Sequence, residues 1–206
     1  VKLADWIFAS GDNKGLPFMI IDKTSAEVFV FGGDGLLRGV APALLGLARG
    51  DDSAPGIGEK ELSKITPEER TTPAGRFVAG FGASPSDKDI LWVDYETAVS
   101  IHQVVNNNPK EQRLKRLESP SVEDNRITFG CINVPPDFYT KVVVPEFTGT
   151  SGVAYVLPET RPIEEVFLNF QYQERPLSGL AAASATGVDA GATAAADDVR
   201  GHPDGH

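Results

Sequence analysis

FMIIDKTSAEVFVF, residues 18–31, places two apolar, β-branched runs on either side of a short polar stretch. Phe18 to Asp22 and Glu27 to Phe31 have strand length and strand composition, and the intervening KTSA supplies a turn, so the segment reads as a β-hairpin. GGDG follows at once, from Gly32 to Gly35, and signals a second turn. FGGDG lies between strands and opens no helix, which separates it from a dinucleotide or phosphate loop and makes it a hairpin turn. The β pattern continues outward. GRFVAGFG starts at Gly75, ILWVDY at Ile90, and AVSIHQV follows after a break at Glu96-Thr97. In that last strand Val99 and Ile101 share one face, while Ala98, Ser100 and His102 share the other. His102 is therefore expected to point away from the apolar face.

Helices are expected to be few and short. Thr66-Pro67-Glu68-Glu69 has the form of a capping box with proline at the first helical position. Asn108-Pro109-Lys110-Glu111 repeats that grammar and opens KEQRLKRLES, in which Leu114 and Leu117 make a narrow apolar stripe. A third helix is expected to start near Pro136, in PDFYTKVVV, and to end before Pro145. The fold class read from these elements is mainly β. The carboxylates of Asp51-Asp52 and Glu68-Glu69 read as solvated charges of a loop and a helix start rather than as an acid/base pair.

From Ser178 onward the chain is rich in Ala, Gly and Asp and contains no aromatic residue. Such a composition buries too little apolar surface to offset its ordering entropy. The expected organisation is one domain over 1–177 and a flexible tail over 178–206. His202 and His206 fall in that tail and read as solvated residues rather than as metal ligands.

With 206 residues and 41% apolar composition, the chain is long enough for a sizeable core. Its formal net charge of −10 repels phosphate backbones and anionic lipid heads, so nucleic-acid and membrane-surface roles are not expected. No apolar run has the length of a membrane span. Val1 opens the sequence without an initiator methionine or a secretory signal, which reads as a mature or trimmed form.

RITFGC, from Arg126 to Cys131, ends on the single cysteine of the sequence and continues as Ile132-Asn133-Val134. A lone thiol forms no internal disulfide, so it is a small buried hydrophobe or a reactive group. Gly130 permits a tight backbone path and close approach of a substrate. If the piece is extended, Cys131 and Asn133 lie on one side and face outward, and Ile132 and Val134 take the other. His102 is the only histidine outside the tail, and a thiol nucleophile commonly uses histidine as its base. The residues alone leave two readings open: a structural cysteine with a satisfied histidine, or a reactive pair.

A family resemblance bears on that choice. The region from about Phe18 to Pro158 resembles the L,D-transpeptidase catalytic domain, also called YkuD-like. SIHQV matches the family's strand histidine. TFGCINV matches its Ser/Thr-His-Gly-Cys-hydrophobic-Asn/Arg motif at Thr128, Gly130, Cys131, Ile132 and Asn133. TTPAGRF, from Thr71 to Phe77, matches its Thr-Pro-x-Gly-x-Phe element, and the opening hairpin looks like its first strands. Two features depart from the pattern. Phe129 stands where the family has a second histidine, and an insertion of roughly Asn106 to Arg126 lengthens the spacer.

The resemblance implies a β-sandwich with a few short helices, and acyl transfer on peptidoglycan stem peptides without a metal or cofactor. Cys131 would attack the carbonyl of an L,D peptide bond, typically diaminopimelate to D-alanine, with His102 as base. Backbone N–H groups around Gly130 and Cys131 would be oxyanion donors, and the Gln103 carbonyl would fix the His102 tautomer. Asn133, Thr128, Phe129, Arg113 and Arg116 are the expected substrate-binding residues, with Lys110 and Lys115 as further cations on the insertion. The insertion is expected to cap the cleft, because it is tethered close to both His102 and Cys131. The family is exported, which implies a periplasmic or envelope location. An L,D-carboxypeptidase and a non-catalytic wall-binding domain remain the alternatives.

Overall fold

The hairpin forms as its sequence predicts. In the computed structural model, which describes residues 2–82 and 90–170, β1 (Phe18–Asp22) and β2 (Glu27–Phe31) pair antiparallel, with Phe18 opposite Phe31 and Asp22 opposite Glu27. The turn is closed by Asp22, whose carboxylate accepts from the Thr24 backbone N–H at 2.9 Å and from its hydroxyl at 2.7 Å. The Gly32–Gly35 stretch turns the chain into β3 (Leu37–Pro42), again antiparallel to β2. Gly35 takes the left-handed conformation there, at φ 76°.

Both faces of β1 are buried, and its period-2 alternation assigns them to different cores. Met19 and Ile21 join one cluster together with Val28 and Val30 of β2. Phe18 and Ile20 join another with Leu3, Ala4 and Ile7 of helix α1 (Lys2–Ser10) and with Phe167 and Phe170. A strand covered on both faces needs hydrogen-bonded neighbours on both edges. The second neighbour of β1 is a parallel strand from the far end of the described chain, Gly152–Val156.

The remaining strands follow in chain order: β4 (Leu45–Gly46), β5 (Gly75–Gly82), β6 (Ile90–Asp94), β7 (Val99–Gln103), β8 (Arg126–Thr128), β9 (Ile132–Val134) and β10 (Gly152–Val156). The main sheet has the order β3-β2-β1-β10-β5-β6-β7-β9, and β4 pairs with β8 apart from it. Strand β5 joins two half-sheets. Its Gly75–Ala79 part pairs with β10, whereas Gly80, Phe81 and Gly82 pair with β6. Apolar side chains of the two halves (Met19, Ile21, Val28 and Ala154 from one, Leu91, Val93, Ile101, Ile132 and Val134 from the other) meet in a single cluster. The sheet therefore folds over on itself into a β-sandwich whose corner is carried by one strand.

Three expectations are corrected. The helical run that begins at Pro136 does not stop before Pro145. An α turn (Pro136–Phe138), a π-type turn (Tyr139–Val143) and a further α turn (Val144–Phe147) follow one another. The wider turn lies immediately before Pro145, where the missing proline N–H would interrupt an ordinary helical ladder. The segment opened by Asn108-Pro109 is not one helix. A 3₁₀ turn (Pro109–Glu111), capped by Asn108, is cut off by Gln112 at φ 50°, and helix α2 (Arg113–Leu117) starts anew. Leu117 is buried, but Leu114 is exposed.

Asp51 is the third correction. It is 3% exposed rather than solvated. Its carboxylate accepts from Lys23 Nζ at 2.8 Å and from the backbone N–H groups of Glu159, Thr160 and Arg161 at 2.8 to 2.9 Å. Burial alone would raise the Asp51 carboxyl, but these donors outweigh it and hold the group well below the usual carboxylate range. The capping box at Thr66–Glu69 forms as expected, on a 3₁₀ turn. The expected tail over 178–206 lies outside the described residues.

Candidate active site

Strands β7 and β9 run parallel, with Ile101 beside Ile132 and His102 beside Asn133. Period 2 on each strand then decides the site. Ile101, Ile132 and Val134 go into the core. The opposite face collects Ser100 and His102 from β7, and Cys131 and Asn133 from β9 and the residue before it. Ser100 Oγ lies 3.5 Å from Cys131 Sγ, and Asn133 Nδ2 lies 3.2 Å from His102 Nε2. Four polar side chains thus form a square on one face of a two-strand ladder, with the thiol and the imidazole on a diagonal.

Proton inventory fixes the histidine. Its Nδ1 is 2.8 Å from the Gln103 carbonyl, which only accepts, so Nδ1 carries the proton and Nε2 bears a lone pair in the neutral ring. Burial works against an imidazolium, yet the interaction with Cys131 and the Gln103 carbonyl outweigh it and raise His102 above its ordinary value, against an opposing contribution from Arg113. Burial likewise pushes the Cys131 thiol up. His102, the Ser100 hydroxyl and the Ser100 backbone overcome it and leave the thiol below its ordinary value. Cys131 is only half-buried and open to a reactant.

The turn that delivers Cys131 is held by two threonines. Thr128 Oγ1 accepts from the Gly130 N–H at 3.1 Å and donates to the Cys131 carbonyl at 2.6 Å. Thr72 Oγ1 donates to the Gly130 carbonyl at 2.8 Å and accepts from the Gly46 N–H at 2.9 Å. Gly130 has φ 131°, and a Cβ there would sit 2.8 Å from the Thr71 carbonyl oxygen. TTPAG and TFGC are therefore two halves of one backbone clasp, and glycine is required where they touch. The buried cluster of Lys23, Asp51, Arg126 and Glu159 supports both halves. Lys23 donates to the Thr72 carbonyl at 2.9 Å, and Arg126, the first residue of β8, donates to Glu159 at 2.6 Å.

The sequence-predicted residues separate into groups. Cys131, His102 and Gly130 come together. Asn133 does not face outward. It is 1% exposed, with its amide between His102 and Arg113. Thr128 is buried, and its hydroxyl is committed to the turn. Because the Gly130 N–H is bound to Thr128, it is not free as an oxyanion donor, whereas the Cys131 N–H makes no hydrogen bond among the described residues. Phe129 is half-buried beneath Arg70, whose Cζ lies 4.0 Å from the ring centroid.

Of the insertion's cations, Arg113 reaches the site. Arg116 is occupied within the insertion, donating to the carbonyls of Glu111 and Asp124. Lys110, Lys115 and Arg116 line a separate groove of about 450 Å³ with Glu111, Glu118 and Asp124, which has neither Cys131 nor His102 in its wall. Sequence reasoning did not single out Ser100 as a site residue, although its place two positions before His102 on a strand marked it. Among the described residues, no group of three or more His, Cys, Asp or Glu side chains is placed to hold a metal ion.

Neither a family model nor a curated protein sequence matches the chain. The chain is similar to L,D-transpeptidases of known structure. The catalytic domain of the E. faecium L,D-transpeptidase is 17% identical with a TM-score of 0.40, over 68% of this chain and 95% of that one. An L,D-transpeptidase from Mycobacterium smegmatis is 15% identical with a TM-score of 0.39, over 68% and 58%. The helical cell shape determining protein Pgp2 from Campylobacter jejuni is 16% identical with a TM-score of 0.48, over 78% and 57%. The chain thus spans little more than half the length of the Pgp2 structure.

Proposed function

We propose that this chain is a cysteine acyltransferase of the L,D-transpeptidase type, acting on peptidoglycan stem peptides through a thioester. The observation that carries the reading is the half-open Cys131 thiol beside a histidine whose Nδ1 is tied to a main-chain carbonyl. That tie leaves Nε2 as the only ring atom able to take a proton. His102 Nε2 accepts the thiol proton, and the sulfur forms a bond to the carbonyl carbon of the L,D amide. Charge on the carbonyl oxygen is met by the Cys131 N–H. The carbon–nitrogen bond breaks, His102 returns the proton to the departing D-amino acid, and the acyl group remains on sulfur. An amine of a second stem peptide then attacks the thioester and releases the thiol. Water in the place of that amine gives L,D-carboxypeptidase activity at the same site. Such a substrate places the protein in the cell envelope or periplasm.

The test is incubation with purified disaccharide-tetrapeptide, with products and protein weighed by mass spectrometry. Loss of the terminal D-alanine and an acyl adduct on Cys131 are expected, and both vanish in Cys131→Ala. Turnover by Cys131→Ala overturns the role of the thiol as nucleophile, and an inert wild type with a thiol that resists alkylation overturns the proposal in favour of a non-catalytic domain.

A further inference from the structure

Arg113 does something other than wait for a substrate carboxylate. It stands at the start of α2, directly after the left-handed Gln112. Its guanidinium donates to Glu111 and, through Nη1, to Asn133 Oδ1 at 2.9 Å. Its side chain is 16% exposed. The position is braced from both ends. Leu117 anchors the helix in a small cluster with Leu44 and Val104. The Asn133 main chain is locked to Leu44 by reciprocal hydrogen bonds at 2.8 and 2.9 Å.

A guanidinium has donors and no acceptor, so the oxygen of the Asn133 amide must face Arg113. The amide nitrogen is then left facing His102 Nε2, to which it can only donate. We propose that Arg113 is a positioning residue that sets the orientation of the Asn133 amide and so lowers the proton affinity of His102 Nε2. This rests on reading His102 as the base of the site. In the neutral ring, the Nε2 lone pair accepts the amide N–H. Once Nε2 carries the thiol's proton, two donors oppose each other and the Arg113 charge adds to the repulsion. Arg113 and the Asn133 amide therefore offset part of the hold that Cys131 and the Gln103 carbonyl give His102 on that proton, and ease its transfer to a leaving amine. The charged and titratable groups around the ring are Cys131 on one side and Arg113 with its partner Glu111 on the other. Cys131 favours the imidazolium, and Arg113 restrains it.

The experiment is an NMR titration of the His102 ring in the wild type, Arg113→Met and Arg113→Lys. Arg113→Met is expected to raise the His102 midpoint by about one pH unit, a tenfold gain in proton affinity. Arg113→Lys, which keeps a charged donor, is expected to titrate with the wild type. A role confined to holding the insertion would lower melting temperature in both variants without moving the midpoint. Coincident titrations of wild type and Arg113→Met overturn the proposal, and so does a Lys variant that shifts like the Met variant. If Arg113→Met does not fold, the unmutated protein still decides. A nitrogen–nitrogen coupling across the hydrogen bond from Asn133 Nδ2 to His102 Nε2 is expected with the ring neutral, and its absence refutes the assigned amide orientation. None of these readouts involves peptidoglycan, so a failure of the proposed reaction would leave them standing.

Discussion

At Cys131 the environment works in two directions, and the balance sets the pH at which the thiol reacts. Desolvation favours the neutral thiol; His102 and Ser100 favour the thiolate and prevail. The imidazole is displaced the other way, toward its charged form. The two groups titrate as a pair, and the lowered thiol and raised histidine values bring the thiolate–imidazolium form closer in energy to the neutral pair. Alkylation of the wild type is therefore expected to set in below the ordinary thiol value of 9.0. In His102→Ala the burial penalty loses its main opponent, the midpoint of the alkylation profile moves up, and acylation by substrate slows by about a hundredfold or more. Stopped-flow labelling across pH reads the first effect, and single-turnover acylation the second. An unchanged profile would remove His102 from the role of base. Much of this residue-scale picture was legible in the sequence, because period 2 applied to SIHQV and to CINV separately picks out the same four polar side chains. The outward aspect of Asn133 was misread because a strand's two faces can both be covered. Here the second cover is Arg113, twenty residues away, delivered by a left-handed Gln112 that no local propensity announces.

The elements were legible in proportion to how local their causes are. The β1–β2 hairpin, the following glycine turn and the capping box rest on contacts a few residues apart and formed as expected. Strand β10 owes its place to one edge of β1, with Val153 beside Phe18 from 135 positions away, and no local pattern reports such a pairing. The loop at Asp51 shows the same limit in energetic terms. Adjacent aspartates read as solvated, but the groups that accommodate Asp51 in the interior, Lys23 and the Glu159–Arg161 backbone, lie 28 and 108 to 110 positions away. Because Lys23 is fully buried, Asp51→Ala leaves a cation without its closest counter-charge. The expected cost is about 3–5 kcal/mol of stability, measured by urea denaturation. Glu159 remains 3.7 Å from Lys23 Nζ and tempers the loss. Since Lys23 also holds the Thr72 carbonyl, the same variant is expected to slow labelling of Cys131 under conditions where it remains folded. A variant with wild-type stability would show that the cluster is not part of the clasp that carries the cysteine.

On the scale of the whole molecule, the folded-over sheet supplies a rigid ladder at β7 and β9, and the insertion over 106–126 is the part laid on top of it. Its tethers, just after β7 and at β8, hold it close to the site, as the spacing of His102 and Cys131 implies. Its contents divide unexpectedly: Arg113 turns inward to Asn133, while Lys110, Lys115 and Arg116 face a groove of their own. Up to Ser121 the insertion is attached by modest means, chiefly Leu117 with Leu44 and Val104 and Arg113 on Asn133, whereas its last residues are built in, with Val122 against the core, Asn125 donating to the Ala43 carbonyl and Arg126 paired with Glu159. The sandwich core contains none of its fully buried residues. Replacing residues 106–121 with a short Gly/Ser linker, which spares Val122, Asn125 and Arg126, is therefore expected to leave a folded sandwich whose Cys131 still reacts with a small reagent. Two functional changes should follow. The His102 midpoint should rise as in Arg113→Met, because the amide of Asn133 loses its orienting donor. Turnover of disaccharide-tetrapeptide should fall, because the insertion that sets Arg113 against Asn133 beside the site is gone. Calorimetry, ring titration and product mass read the three expectations separately. If the shortened protein folds, titrates like the wild type and processes muropeptides at the wild-type rate, the insertion neither tunes the histidine nor shapes the cleft.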